Sequence, residues 1–571
     1  MQVGTSSSPD SSCNQYETLL LRSGVRFLRM DRTQSGKYSD ICIVLKTRPM
    51  KCYKGTILSV DSNDGVYQYL VEDNGTILFV GNELPSQYKD AELMELGDKA
   101  IVPAFVDTHQ HFASFSTFNA GLNVMEAASN AEIAEMIGEY AAETKSRTII
   151  AFGASPHSVK EGRLIMRHEI DAVCKGKEVM VVKYDGHACI ISTPLLKKLD
   201  KKLSKLRGYH PDTGEMNQEA FFACSDYISG SLSIPDLFRN MQNATDYLAS
   251  KGIGSIHTVS GVGFIANLDI TIEKLFAKSL RNGFQIRVFP QALDIKVATS
   301  RRIPRIGGCF ECALDGCFGS RDAALNEPYT DAEGGEGILF YSDEKVVEFC
   351  KKANRLGLQI ELHAIGDKAY DQAARALKAA LDDYPRKDHR HGIIHDCLPT
   401  EQGIAICKEY GIQMPVQSAF IGWKQEPDSY LEELLGTARA SRLNPIRTFA
   451  DNGIVVSLGS DAPCTSPDPV MWIHKAVNHS NPEERITVQQ ALRMATYNGA
   501  YTTFDEKERG SLEAGKVADM VILSENPYTM KSDQLESIKV DQLILSGRPY
   551  ESAVTPLGRC ILNGLFSKSR Y

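Results

Sequence analysis

Short apolar runs, each closed by one or two polar residues, recur through the middle of the chain. Stretches with apolar positions at three- and four-residue intervals separate most of them. A run of the first kind predicts a strand buried on both faces, and a stretch of the second kind predicts a helix packed on one side. The strands placed in this way are 102–108, 254–259, 285–292, 310–315, 359–364, 392–395, 412–417 and 454–460. A clear helical stripe is KAYDQAARALKAAL, 368–381, with Asp367 as its N-cap. Eight strands alternating with helices predict an α/β fold, a (β/α)8 barrel of parallel strands ringed by helices.

The two ends of the chain have a different texture. DICIVLK, GTILSV, GTILFVG and KAIVPAFVD at the front, and KVADMVILS, IKVDQLILSG and GRCILNG at the back, are short β-rich runs between turns. They predict one small β-sandwich domain made from both termini, 17–101 and 505–571, with the barrel over 102–504 between them. Residues 120–250 break the strand–helix alternation. They carry the extra strands TIIAFG and EVMVVKYDGHA and the polar stretch KKLDKKLSKLRG. They are read as an insertion after the first barrel strand, placed to cover the barrel mouth. Residues 1–16 are polar and are expected to be a disordered tail.

Bulk properties narrow the partners. A chain of 571 residues exceeds the roughly 250–300 residues that one core supports. The formal net charge of −9 argues against nucleic acid and anionic membrane. No apolar stretch reaches the ~20 residues of a membrane-spanning helix. The N-terminus has neither the basic nor the apolar segment of a secretory signal, so a cytoplasmic protein is expected. The 14 cysteines sit in apolar contexts and read as reduced thiols. Cys309, Cys312 and Cys317 read as ordinary buried thiols too. A homodimer is the default assembly by frequency alone.

The chemistry sits at strand ends. In IVPAFVDTHQHF, His109 and His111 are two apart, so on a strand both point the same way and can reach one ion. His-x-His arises easily by chance in a chain with 13 histidines. His389 and His391 form a second such pair, in the polar stretch RKDHRHG ahead of a strand, and read as solvated surface. His363 in QIELHAIGDKAY, His395 in HGIIHDC and Asp461 in IVVSLGSDAP also close apolar strands. The C-terminal ends of barrel strands converge on one mouth, where active sites form. Imidazoles plus carboxylates, with no thiolate in register, suit Zn2+, and also Fe2+, Mn2+ or Ni2+. His257 closes the second strand and can line the mouth. Arg321 can bind an acidic substrate group or make a surface ion pair. Trp423 can act as a lid or simply pack.

Nearly the whole chain resembles the amidohydrolase superfamily, in the branch that contains the N-substituted formamide deformylases. The resemblance rests on VPAFVDTHQHF, DGHACIISTPLL, GIGSIHTVSG, ALDGCFGSRDAALNEPY, LHAIGDKAYDQA, HGIIHDC, LGSDAP, ATYNGA and GSLEAGKVADMVIL. It implies that His109 and His111 bind a more buried metal. It implies that His363 and His395 bind a second ion or position substrate, and that Asp461 ligates metal and serves as general base. His187 matches a position facing substrate or the developing oxyanion, though a hydrogen-bonded insertion residue is the alternative. The branch usually carries a bridging lysine four residues before the Asp-Gly of strand four. Here that position is Glu311, expected as a metal ligand in its place. Ile394 and Ala104 also depart from the branch, at positions usually Glu and Gly. The implied activity is hydrolysis of a non-peptide C–N bond in a small molecule: an amide, formamide, cyclic amide or amidine. Hydrolysis of a lactone or an aminated ring in the same site, or a metal-stabilised binding protein without turnover, are the alternatives.

Overall fold

The computed structural model describes residues 49–567 apart from 232, 262–266, 332–333 and 553–555. It also describes two short antiparallel strands ahead of them, Val25–Leu28 and Ile43–Lys46. The expected tail, 1–16, lies outside the described residues.

Both ends of the chain share one seven-stranded sheet. The front contributes Lys51–Leu58, Val66–Asp73, Thr76–Gly81 and Glu92–Pro103. The back contributes Met520–Leu523, Val540–Leu545 and Arg548–Pro549. The seam is the antiparallel pairing of Glu92–Pro103 with Met520–Leu523. Ile57, Leu70, Ile77, Ile101 and Met520 pack one face of this sheet into a core. GRCILNG is not a strand: it belongs to the helix Leu557–Phe566. Its buried residues, Cys560 and Gly564, are four apart and face the helix Leu268–Ser279. Gly564 permits that approach, since a Cβ there would meet Leu275 Cδ1 at 2.4 Å. An apolar run this short does not by itself separate strand from helix.

The eight central strands occur in the expected order. Phe105–Gln110, Ile253–Ser260 and Gln285–Pro290 form one parallel sheet. Arg305–Ala313, Gln359–Ala364 and Gly392–His395 form a second. Met414–Val416 and Val456–Leu458 form a third. Single parallel bridges, Gly392 to Gln413 and Gln110 to Ala462, link the second sheet to the third and the third to the first. Between the strands Gln285–Pro290 and Arg305–Ala313 there is no ladder among the described residues. Gln359–Ala364 and Gly392–His395 are buried throughout, as strands covered on both faces must be. The helix after His363 is Asp367–Asp383, with Gly366 at the cap position. Asp367 therefore lies inside the first turn, where its carboxylate accepts from Lys368 N–H.

Residues after the first central strand build a six-stranded sheet of their own. Its centre is Thr148–Ala154 paired in parallel with Glu178–Lys183. KKLDKKLSKLRG opens in the helix Thr193–Leu203, which buries Leu195, Leu196, Leu199 and Leu203 and leaves its lysines outside. Among the described residues no helix is long and apolar enough to cross a membrane.

Candidate metal centre

The first and last central strands are knitted together at their C-terminal ends. Asp461 N–H donates to His109 O, and His111 N–H donates to Ala462 O. Below them the buried Asp107 carboxylate accepts from Ser460 N–H at 2.8 Å and Ser460 Oγ–H at 2.6 Å. Burial pushes the Asp107 pKa up to about 7, against those two hydrogen bonds. This lock brings Asp461 Oδ1 to 3.2 Å from both His109 Nε2 and His111 Nε2. Asp461 has φ 55°, and His395, at the end of the sixth strand, has φ 77°. Non-glycine residues in that region are uncommon and cluster at functional sites.

His363 and His395 complete the group. Their ring centroids are 4.6 Å apart, and His395 is 5.2 Å from His109. Asp315, saturated by the N–H groups of Ala324, Ile365 and Gly366, holds Oδ1 3.4 Å from His363 Nδ1. His395 Nδ1–H donates to Gln417 Oε1 at 2.6 Å, which fixes the tautomer and leaves the Nε2 lone pair facing the group. Burial, then the neighbouring His363, keeps His395 well below the usual imidazole pKa, and burial lowers His109 as well. Both are thus neutral at neutral pH, the form that binds metal. Burial opposes the charge on Asp461, but hydrogen bonds from His109 and His111 prevail and hold its pKa well below the ordinary value.

These residues fit a divalent ion. His109, His395 and Asp461 have donor atoms within 4.8 Å of one another, as do two further groups built on Cys309. Ligands about 2.0–2.3 Å from one ion stand about 3–4 Å apart, and the 3.2 Å contacts to Asp461 match that spacing. A cation can replace the two protons aimed at Asp461 Oδ1, since it takes up nitrogen lone pairs and carboxylate charge together.

The group opens into a cavity of about 660 Å3. His111, His363, His395 and Asp461 line it from the strand ends, and Met180, His187 and Phe222 line it from the insertion. Residues of the 120–250 region therefore form part of the cavity wall. His187 is exposed, and its ring lies 6.2 Å from Phe310, which also meets His111 at 5.5 Å and Phe222 at 6.0 Å. Trp423 lines the wall and stacks on Phe420 at 5.1 Å, and Phe420 in turn stacks against His395 at 5.9 Å.

Several expected residues stand elsewhere. Glu311 does line the cavity, but it is exposed and its carboxylate accepts from Leu293 N–H rather than meeting the histidines. Gly308 pairs with Leu362 and Ala313 with His363, so residues 309–312 bulge from the ladder and strand alternation fails there. That bulge turns Cys309 inward: its Sγ is 3.4 Å from His109 Nε2 and 3.7 Å from His395 Nε2. A thiol is therefore in register after all. His257 does not close its strand, which runs on to Ser260. It is buried against Thr503, 3.1 Å away, near Arg305 at the start of the fourth strand. Burial and that guanidinium push it down to about 3. Arg321 is held in an ion pair with Asp331 and is not among the residues lining the cavity. His389 and His391 are not solvated, with exposures of 4% and 0%.

Sequence reading missed Cys309, Gln417 and Glu361. Gln417 was visible as one more polar residue closing an apolar strand. Glu361 was visible too, two residues before His363; it is buried without a hydrogen-bond partner, and burial raises it to about 8. The Gly307–Gly308 pair hints at a bulge in that strand, but nothing in the sequence says that it turns Cys309 inward.

A parallel α/β core with buried imidazoles and a carboxylate gathered at its strand ends is the build of a metal-dependent hydrolase. Residues 92–550 match the amidohydrolase family, and the chain belongs to it. It is 23% identical to the N-substituted formamide deformylase of Arthrobacter pascens, over 88% of this chain and 98% of that one. It is 25% identical to the protein LONG AFTER FAR-RED 3 of Arabidopsis thaliana, over 83% and 87%. An uncharacterized metal-dependent hydrolase from Pyrococcus horikoshii OT3 shares the fold, with TM-score 0.69 at 22% identity over 85% of this chain and 99% of that one.

Proposed function

We propose that the chain hydrolyses a non-peptide C–N bond, as in an amide, formamide or cyclic amide, in a small substrate with an apolar substituent. The observation that carries this reading is the convergence of His109, His111, His363, His395 and Asp461, the last four of which line an aromatic-rich cavity. A relative named for N-substituted formamides supports it. In this reading the three central sheets are one (β/α)8 barrel spanning 102–504. The sheet shared by the termini is then a small β domain drawn from 17–101 and 505–571.

A divalent ion bound here, Zn2+ by its donors, supplies a water acidified to a pKa of ~7 and a polarised scissile carbonyl. Asp461 takes the proton of the attacking water and passes it to the leaving nitrogen. His363, steadied by Asp315, faces the reacting group. His187, on the opposite wall, stabilises charge developing on the carbonyl oxygen. Phe310 and Trp423 hold the apolar substituent. None of the twelve described cysteines is in a disulfide, which fits a reducing, cytoplasmic setting.

The test is metal analysis of the purified protein together with a screen of N-formyl and N-acyl compounds, with and without chelator. Release of an amine that stops on chelation and returns with Zn2+ is expected. Turnover that survives complete removal of metal, or cleavage of lactones alone, overturns the reading.

A further inference from the structure

Cys309 stands where no spacing argument put it. The fourth central strand begins RIGGC, and Gly307 and Gly308 have φ 125° and 118°. A Cβ on Gly307 would sit 1.9 Å from Glu361 O, and one on Gly308 would sit 2.5 Å from Val259 Cγ1. Only glycine lets the strand pass so close to both neighbours. Phe310 follows at φ 49° and turns the chain out again. The sulfur is left buried, 6% exposed, within reach of His109 Nε2 and His395 Nε2.

Its place within the group is specific. One set of donors within 4.8 Å is His109, His111 and Cys309, and another is Cys309, His363 and His395. Cys309 is the member common to both pairs of histidines. We infer that Cys309 is a metal ligand, its thiolate shared between the His109–His111 and His363–His395 sides of the centre. This rests on the metal-dependent reading above and adds the sulfur to it. On binding, the thiol proton leaves to solvent and the S–metal bond forms in its place. A thiolate among imidazoles favours Zn2+ over harder ions such as Mn2+. Glu311, four residues before Asp315, has no part in it.

The experiment is X-ray absorption at the zinc edge on the full-length, zinc-loaded protein. A sulfur scatterer at about 2.3 Å is expected beside nitrogen and oxygen at about 2.0–2.2 Å. Cys309→Ser must lose the sulfur shell, and Cys309→Asp must lose it while still holding zinc. Cobalt loading gives a second readout: a sulfur-to-cobalt charge-transfer band in the wild type that vanishes in both variants. Wild-type protein that holds zinc through nitrogen and oxygen alone overturns the inference and leaves the hydrolase reading standing. A sulfur shell that persists in Cys309→Ser overturns it as well. Protein that binds no zinc at all overturns both.

Discussion

The chain carries two His-x-His pairs with opposite fates. His109 and His111 close a parallel strand at its C-terminal end, and both Nε2 atoms turn to the Asp461 carboxylate. His389 and His391 precede the strand Gly392–His395, and every ring nitrogen there is already engaged. His389 Nε2–H donates to Tyr410 O, and its Nδ1 accepts from His391 N–H. His391 Nδ1 accepts from Ile360 N–H, and its Nε2–H donates to Asn354 Oδ1. Spacing brings two imidazoles together in both places. What separates a ligand from a structural histidine is a free lone pair and a carboxylate to share the charge. Parallel strands offer these at one end only, because loops from every strand meet there.

The contrast is widest at Asp461, which only the first pair meets. Asp461→Asn should lower kcat/KM for the substrate found by screening by about 10²–10⁴-fold, the span of a general base. A variant within tenfold of the wild type would remove Asp461 from the chemistry.

Exchanging the pairs comes next. His109→Ala should abolish stoichiometric zinc, read by elemental analysis, while circular dichroism stays native. His391→Ala should keep its zinc and lose stability, since Ile360 N–H is left buried and unpaired at a cost of about 1–3 kcal/mol. Urea unfolding measures that loss. Zinc lost from His391→Ala and kept in His109→Ala would invert the assignment.

A finer test is Gln417, which orients the His395 ring. Gln417→Ala should weaken zinc binding by about 10–100-fold in chelator competition, the usual effect of losing such a partner. No change would mean that His395 needs no orienting group.

The smallest effect is in pH. Burial holds His391 well below its unfolded value of about 6.5. The unfolded chain therefore binds a proton that the folded chain refuses, and stability falls as pH drops below about 6.5. The slope is about 1.4 kcal/mol per pH unit for one such group. Urea unfolding at pH 7 and pH 5.5 should show the wild type losing more stability than His391→Gln. Equal losses would count against a neutral, buried His391.

Much of this was legible in the sequence. Apolar runs closed by His109, His363, His395 and Asp461 marked the strands and the end at which they gather, because both follow from local pattern and from parallel topology. His257 was misplaced by three residues of strand that run on to Ser260. His389 and His391 looked solvated because their neighbours in sequence are charged, whereas the partners that bury them, Asn354 and Tyr410, lie far along the chain.

The sequence by itself determined which residues could form the centre and which strands carry them. Hydrophobic period and strand order are properties of neighbours along the chain. Only the tertiary structure put the Cys309 sulfur beside the histidines and left the Glu311 carboxylate on Leu293 N–H. The bulge that exchanges them depends on Gly307 and Gly308 pressing against Glu361 and Val259 on other strands, a contact across the fold that no local spacing encodes.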